Sequence, residues 1–422
     1  VAASFIGTAI EWYDFFLYGT AAALVFGRLF FPAIDPASGT MAAFGTYAVG
    51  FFARPLGGVL FAHFGDRVGR KSALVTTLVL VGVSTFLIGL LPTYHTAGVL
   101  APVLLIVLRF VQGLGVGGEW AGAVLMVVEH GPTKGRGFRA SWVQAGAPAG
   151  LLLATGAFGL ASLLPEEAFL SWGWRVPFVF GLVPTAVGLF IRLKVLESPL
   201  FAKAAAETPP PRLPVVELFR TQWRSVLLAI GARMAENASY YFFTVFSLTY
   251  ATQYLQLPRN VALAGVLVGG VVHLGTMIAF GALSDRVGRR PVYLGGAIAL
   301  ALFAFPFFWL MQTLSELAVW LAITVGLVAH AAMYGPQGAF LSELFGTRVR
   351  YSGASLGSNL AAPLSGGLAP LIAAGLLNWS DGQPWPVAVY LILMALVTIV
   401  AVWLATETHR RELGSGVPGG AR

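Results

Sequence analysis

The sequence predicts an all-α integral membrane protein of twelve transmembrane helices arranged as two six-helix bundles. Three observations lead there. Of 422 residues, 57% are hydrophobic and only 10% charged, with a mean hydropathy of +0.79, whereas soluble domains carry about 25% charged residues. Apolar stretches of about 20 residues, enough to cross a ~30 Å hydrocarbon core, recur along the chain. The polar segment Asp66-Arg67-Val68-Gly69-Arg70-Lys71 returns as Asp285-Arg286-Val287-Gly288-Arg289-Arg290, five residues in a row being identical. Each copy sits between two apolar segments, and a repeat on this scale means duplicated halves.

Apolar runs between polar breaks place the spans at 2–27, 41–62, 73–91, 99–128, 140–163, 174–196, 225–254, 260–281, 292–311, 316–341, 353–378 and 385–405. In lipid the backbone must satisfy its own hydrogen bonds, so these are helices. A barrel would show weaker, alternating segments of about ten residues. Residues 1–196 form the first bundle and 225–406 the second. Between them, 197–224 is a linker with a Pro209-Pro210-Pro211 run, and Val215-Val216-Glu217-Leu218-Phe219 within it reads as a short surface helix. Residues 407–422 form a tail.

Charge sets the orientation, because Lys and Arg collect on the cytoplasmic side. With the Asp66 segment cytoplasmic, only Arg28, Arg175 and Arg259 of the 26 basic residues fall on the opposite side. Arg54, Arg109 and Arg233 lie inside spans or at their edges. Both chain ends, the linker and the tail are then cytoplasmic. The net charge of +8 is thus topology and not a nucleic-acid surface. No cysteine is present, which excludes disulfides and thiolate metal sites. Val1 leads directly into an apolar segment without the basic region or cleavage site of a signal peptide, and the absent initiator Met predicts a trimmed or partial N-terminus.

Ionisable groups inside a span cost about 2.5–3.5 kcal/mol each on insertion scales and point to function. In the first helix Glu11, Asp14 and Tyr18 fall at i, i+3 and i+7, one helical face. In the seventh, Arg233, Glu236 and Tyr240 repeat that spacing. Paired halves are a hallmark of secondary transporters, whose substrate site lies between them, so both stripes are expected to face a shared cavity. The plainer alternative for Glu11 is a position near the helix end, in water. Arg109 in the fourth helix requires a carboxylate or an anionic ligand, and Glu119 is one partner. His330, Tyr334 and Gln337 share a face of the tenth helix, though His330 also fits a hydrogen-bonded interior histidine; His273 carries still less signal. Gln144 and Asn359 suit either substrate contacts or helix–helix hydrogen bonds.

Two motif matches fail on context. Gly113-x-Gly115-x-x-Gly118 lies within an apolar span and follows no strand, so its glycines serve helix packing and not a dinucleotide. Asn237-Ala238-Ser239 is a glycosylation pattern buried in a span. No Walker loop, no metal motif and no catalytic set emerges, so neither an ATP-driven pump nor an enzyme is supported.

The repeated segment resembles the signature of the major facilitator superfamily, G-x-x-x-D-R-x-G-R-[KR]. Gly281 to Arg290 match throughout, while the first copy has Ala62 in place of the Gly. Glu11-Trp12-Tyr13-Asp14-Phe15, Arg54-Pro55-Leu56-Gly57-Gly58, Gln112-Gly113 through Gly117-Gly118-Glu119-Trp120, Gly173-Trp174-Arg175-Val176-Pro177-Phe178 and Glu197-Ser198-Pro199 resemble the metabolite:proton symporter family. Its members carry shikimate, 2-oxoglutarate, citrate or proline and betaine. Arg233-Met234-Ala235-Glu236-Asn237 with Tyr241 is most similar to the shikimate-like branch.

The resemblance implies alternating access in a bacterial inner membrane, as a monomer, without a cofactor and with the proton gradient as energy source. It implies that Asp66, Arg67 and Arg70, with Asp285, Arg286 and Arg289, form cytoplasmic gates. By resemblance to proton-coupled sugar porters, Asp14 pairs with Arg109. The expected cargo is a small organic acid. Asp14, Glu119, Glu11 and Glu236 are then the proton-coupling candidates, and Arg109, Arg233, Tyr18, Gln144, Tyr240, His330, Gln337 and Asn359 the substrate-binding ones. Alternatives are a zwitterion such as proline or betaine, held by Glu236 or Glu119 and aromatic rings, or a non-transporting sensor on the same fold.

Overall fold

The computed structural model describes residues 2–68, 70–117, 124–125, 127–128, 135–194, 214–346 and 350–410. Twelve long helical runs appear among them, one for each expected span. α1 joins Ala2–Ala21, a π-helical turn at Ala22–Phe26 and Gly27–Phe30. α2 is Pro36–Val68, α3 Arg70–Leu90, α4 Leu100–Val116 and α5 Arg136–Ala161. α6 runs in pieces over 173–194. α7 begins as Pro214–Tyr241 and continues through π-helical turns at Phe242–Phe246 and Tyr250–Tyr254. α8 is Arg259–Val287, α9 Arg289–Gln312 and α10 Glu316–Leu344. α11 joins Arg350–Ala361, a π-helical stretch at Ala362–Gly367 and Ala369–Trp379, and α12 is Trp385–Leu404.

Several boundaries differ from the expectation by a few residues, and two of the differences are informative. The helix leading into α7 starts at Pro214, inside the stretch read as linker, and breaks at Gln222 (φ −137°, ψ 28°). The short surface helix and α7 are therefore successive pieces separated by one non-helical residue. Likewise α8 continues past 281 through Asp285, because its end is set by Gly288, whose φ of 107° no L side chain adopts easily. The repeated polar segment is thus a helix end and not a free loop.

Helix contacts repeat with an offset of six. α1 packs on α5 as α7 does on α11, α2 on α4 as α8 on α10, and α3 on α6 as α9 on α12. The halves meet where α5 lies against α8 and α10, and where α2 lies against α11. Large apolar side chains point outward along the bundle, with Leu160 72%, Leu302 74% and Leu317 73% exposed; only lipid tolerates an apolar belt of that kind. Seven helices among the described residues are long and apolar enough to cross a membrane on those grounds alone. α3 and α4 supply shorter apolar stretches. The remaining three, α1, α2 and α7, are those carrying Glu11 and Asp14, Arg54, and Arg233 and Glu236.

The glycines of α4 act in packing, as expected. A Cβ on Gly113 would stand 2.2 Å from the Gly50 carbonyl oxygen, and one on Gly117 2.0 Å from that of Arg54. The obstacle is backbone in both cases, so α2 and α4 would have to separate. Overpacking of this kind costs about 1–3 kcal/mol. Gly113→Ala is expected to lower the Tm of the purified protein clearly, whereas Gly156→Ala, with no atom within 4 Å of the new Cβ, should leave it unchanged.

Candidate functional site between the two halves

A crevice of about 450 Å³, its open mouth included, lies between the halves. The first half contributes Glu11, Trp12 and Arg54; the second contributes Arg233, Tyr334, Ser355, Ser358 and Asn359. Each half therefore brings one arginine. Arg54 sits near the middle of α2, its guanidinium 3.9 Å above the Phe15 ring and 4.6 Å from that of Phe51, and its Nε has no hydrogen-bond partner among the described residues. Asn359 donates to the Gly117 carbonyl at 3.0 Å, tying α11 to α4 across the mouth. Arg54, Ser355 and Ser358 were not among the expected site residues. An arginine inside an apolar span was the available signal for the first; two serines in a small-residue helix carry none.

The α1 stripe is divided by depth. Glu11 reaches the crevice, but Asp14 and Tyr18 are buried in the first half. Tyr18 donates to Thr46 Oγ1 at 2.6 Å. Both Asp14 carboxylate oxygens lack a hydrogen-bond partner among the described residues. The expected Asp14–Arg109 ion pair is not formed. Arg109 is fully buried, donates to Gln112 Oε1 and to the Tyr47 carbonyl, and lies 4.1 to 4.7 Å from the Phe15, Tyr18 and Tyr47 rings. Three aromatic faces stabilise its charge in place of a carboxylate, and it does not line the crevice. Glu119 lies outside the described residues.

The α7 stripe is held in a polar network. Arg233 Nη1 donates to Gln337 Oε1 at 2.8 Å and Nη2 to Asn237 Oδ1 at 3.0 Å, with Glu236 Oε2 3.6 Å away. Gln337 Nε2 donates to Glu236 Oε2 at 2.7 Å. Glu236 Oε1 is 3.3 Å from His330 Nε2, and His330 Nδ1 is 2.8 Å from His273 Nε2. Tyr240 stacks on His330, ring centroids 4.4 Å apart. Tyr240, His330 and Gln337 are thus placed behind the crevice wall and not on it. Gln144 donates to the Tyr334 carbonyl, a contact between halves and not with the crevice.

Both faces of the inter-half seam are bridged. On one, Asp285 accepts from the backbone N–H groups of Gly137 and Phe138 at 2.8 and 2.9 Å, a carboxylate on the N-terminus of α5. Arg289 pairs with Asp285 at 2.8 Å and with Glu343 at 3.2 Å, and Arg136 approaches Glu343 at 3.6 Å. Arg286 is exposed. Glu407, just past α12, accepts from the backbone N–H groups of Arg289, Arg290, Thr408 and His409. Burial raises its pKa, but those four donors outweigh it and hold the carboxyl below its usual value. Its stabilising contribution is present above the ordinary glutamate range and is lost only as pH falls through the lowered value. The side chains of Asp66, Arg67 and Arg70 lie outside the described residues. On the opposite face, Glu166 accepts from Arg28 of α1 at 2.8 Å and Arg259 of α8 at 2.6 Å.

Comparison with known proteins identifies the family. The profile of the Major Facilitator Superfamily matches residues 4–370. The chain belongs to that family. It is a membrane transporter and not an enzyme. The Shikimate transporter of Escherichia coli (strain K12) is 44% identical over 96% of this chain and 94% of its own. The Inner membrane metabolite transport protein YhjE of the same organism is 43% identical over 98% and 95%, and its Proline/betaine transporter 35% identical over 99% and 85%. Among solved structures, a D-xylose-proton symporter superposes with a TM-score of 0.73 at 19% identity, covering 96% of this chain and 95% of that one; that likeness concerns the facilitator fold alone.

Proposed function

We propose that this protein carries a small hydroxylated organic acid, shikimate or a close analogue, across the inner membrane together with protons. The observation that carries the proposal is the pairing of Arg54 and Arg233, one from each half, on a single crevice. A carboxylate bridging two guanidiniums draws the halves together, and closure around cargo is what alternating access requires. Ser355, Ser358, Asn359 and Tyr334 line the same crevice and offer hydroxyl and amide partners to a polyol ring. Buried acids on the first helix of each half, Asp14 and Glu236, supply protonatable groups; Asp14, whose oxygens lack a hydrogen-bond partner among the described residues, is the costlier of the two to hold ionised in such surroundings. In this reading the Asp285 face, both termini and the 197–224 linker are cytoplasmic.

Glu11 and Trp12 on the same crevice favour a second reading, a zwitterion whose ammonium meets the carboxylate and the indole. One experiment separates the two. Purified protein in proteoliposomes is given labelled shikimate or labelled proline betaine, with and without an inward pH gradient. Shikimate accumulation that rises with the gradient and collapses with a protonophore is expected. Gradient-driven uptake of betaine alone would transfer the function to the zwitterion, and uptake of neither would count against transport of both classes.

A further inference from the structure

We propose that His273, His330 and Glu236 form a proton relay across α8, α10 and α7, and that a proton delivered to Glu236 releases Arg233 toward the substrate carboxylate. The inference rests on the proton-coupled reading above. It starts from continuity: His273 Nε2 to His330 Nδ1 at 2.8 Å, His330 Nε2 to Glu236 Oε1 at 3.3 Å, and Glu236 Oε2 to Arg233 Nη2 at 3.6 Å. Four groups on three helices make one line that ends at the crevice, and His273, His330 and Glu236 are all enclosed by protein.

Hydrogen bonding gives the line a direction. An ionised carboxylate only accepts, so His330 Nε2 must carry the hydrogen it donates to Glu236. In a neutral ring the other nitrogen is then an acceptor, and His330 Nδ1 accepts from His273 Nε2–H. That leaves the lone pair of His273 Nδ1 at the far end of the line, a buried atom with no hydrogen-bond partner among the described residues. A proton arriving at His273 Nδ1 forms a new N–H bond there. The Nε2–H proton of His273 passes to His330 Nδ1, and the Nε2–H proton of His330 passes to Glu236 Oε1. One proton enters and one carboxylate becomes neutral, leaving both rings uncharged with the hydrogen on Nδ1. The reverse transfer restores them.

The groups facing this line fit the assignment. Arg233 on α7 is a fixed cation whose Coulomb attraction favours ionised Glu236 and is lost once the acid is neutral. Tyr240 of α7 and Tyr334 of α10 stack against His330, and Tyr240 also lies 5.3 Å from His273, holding the rings in register. Tyr293 of α9 accepts from Gln337, which fixes the second Glu236 oxygen. From the first half, Trp12 and Phe16 cover Tyr240, while Glu11 and Arg54 face Arg233 only across the crevice. Hydrogen-bond satisfaction alone does not call for two histidines in series ending on a bare lone pair.

The test combines two readouts on His273→Gln, with His330→Gln as the second variant should the first fold poorly. Infrared spectroscopy after a rapid pH drop follows the carboxylic C=O band of Glu236, identified by its loss in Glu236→Gln. Protonation of Glu236 is expected to slow at least 10-fold in His273→Gln, a change that a merely structural role would not produce. In proteoliposomes the same variant should exchange labelled shikimate within about 3-fold of wild type yet lose pH-driven accumulation. Unchanged band kinetics, or accumulation equal to wild type, overturns the relay. Loss of exchange as well as accumulation assigns the histidine to the framework and also overturns it. Wild-type protein that moves shikimate without any response to the gradient would instead remove proton coupling itself.

Discussion

Arg54→Gln is expected to weaken binding of a carboxylate substrate by roughly 100-fold or more. The substitution removes the fork of donors that α2 presents to the crevice, and hydrogen bonds to a charged partner contribute about 1.5–3 kcal/mol each. It strands no carboxylate, because Arg54 stacks on Phe15 and Phe51 and has no ion pair among the described residues. Folding should therefore survive, with a Tm close to wild type. Arg54→Lys keeps the charge but loses the planar fork, and an intermediate loss near 10-fold is expected. Calorimetric titration with shikimate reads the effect directly. Equal affinity in Arg54→Gln and wild type would remove α2 from the site and leave Arg233 as the anion partner.

Asp285→Asn should change the protein in a different way, leaving affinity within a few-fold while slowing transport severely. Asp285 takes three donors at once: the N–H groups of Gly137 and Phe138 across the seam, and Arg289 on its own side. An asparagine retains one acceptor oxygen and turns an amide toward a donor. Losing two charge-assisted bonds at about 1.5–3 kcal/mol each, partly offset by water, shifts the open–closed balance on this face by roughly 100-fold. The chain has no cysteine, so Ser355→Cys places one thiol on the crevice wall without further engineering. Its alkylation by a polar maleimide should be much faster in the Asp285→Asn background. An alkylation rate that does not move would mean the Asp285 contacts do not close this face.

Part of the site was readable before any coordinates. The i, i+3, i+7 spacing puts Arg233, Glu236 and Tyr240 on one helical face, and the structure joins the first two in one network. The same spacing put Glu11, Asp14 and Tyr18 on one face of α1, which holds locally. That face, however, runs from the crevice at Glu11 into the packed interior of the first half at Tyr18. Helical periodicity gives the azimuth of a side chain and says nothing of what covers it at each depth. The acid–arginine pair between α1 and α4 failed for a related reason: Phe15, Tyr18 and Tyr47 surround the Arg109 guanidinium, and aromatic faces leave no trace in a list of charges.

The sequence by itself determined the apolar spans that form the helices and the repeat that marks two halves. Those follow from local rules. Lipid forces each apolar stretch of about 20 residues to satisfy its backbone internally, and the duplicated segment marks the halves without reference to neighbours. Tertiary structure alone decided which intramembrane charges share a space. Arg54 and Arg109 are both single arginines in apolar spans, yet one lines the crevice and the other is enclosed beneath Phe15. His273 gained a partner only because α8 lies against α10. Such choices depend on the rotation and separation of helices distant in the chain, set by glycine contacts such as Gly113 on Gly50 and by the seam of α5 with α8 and α10.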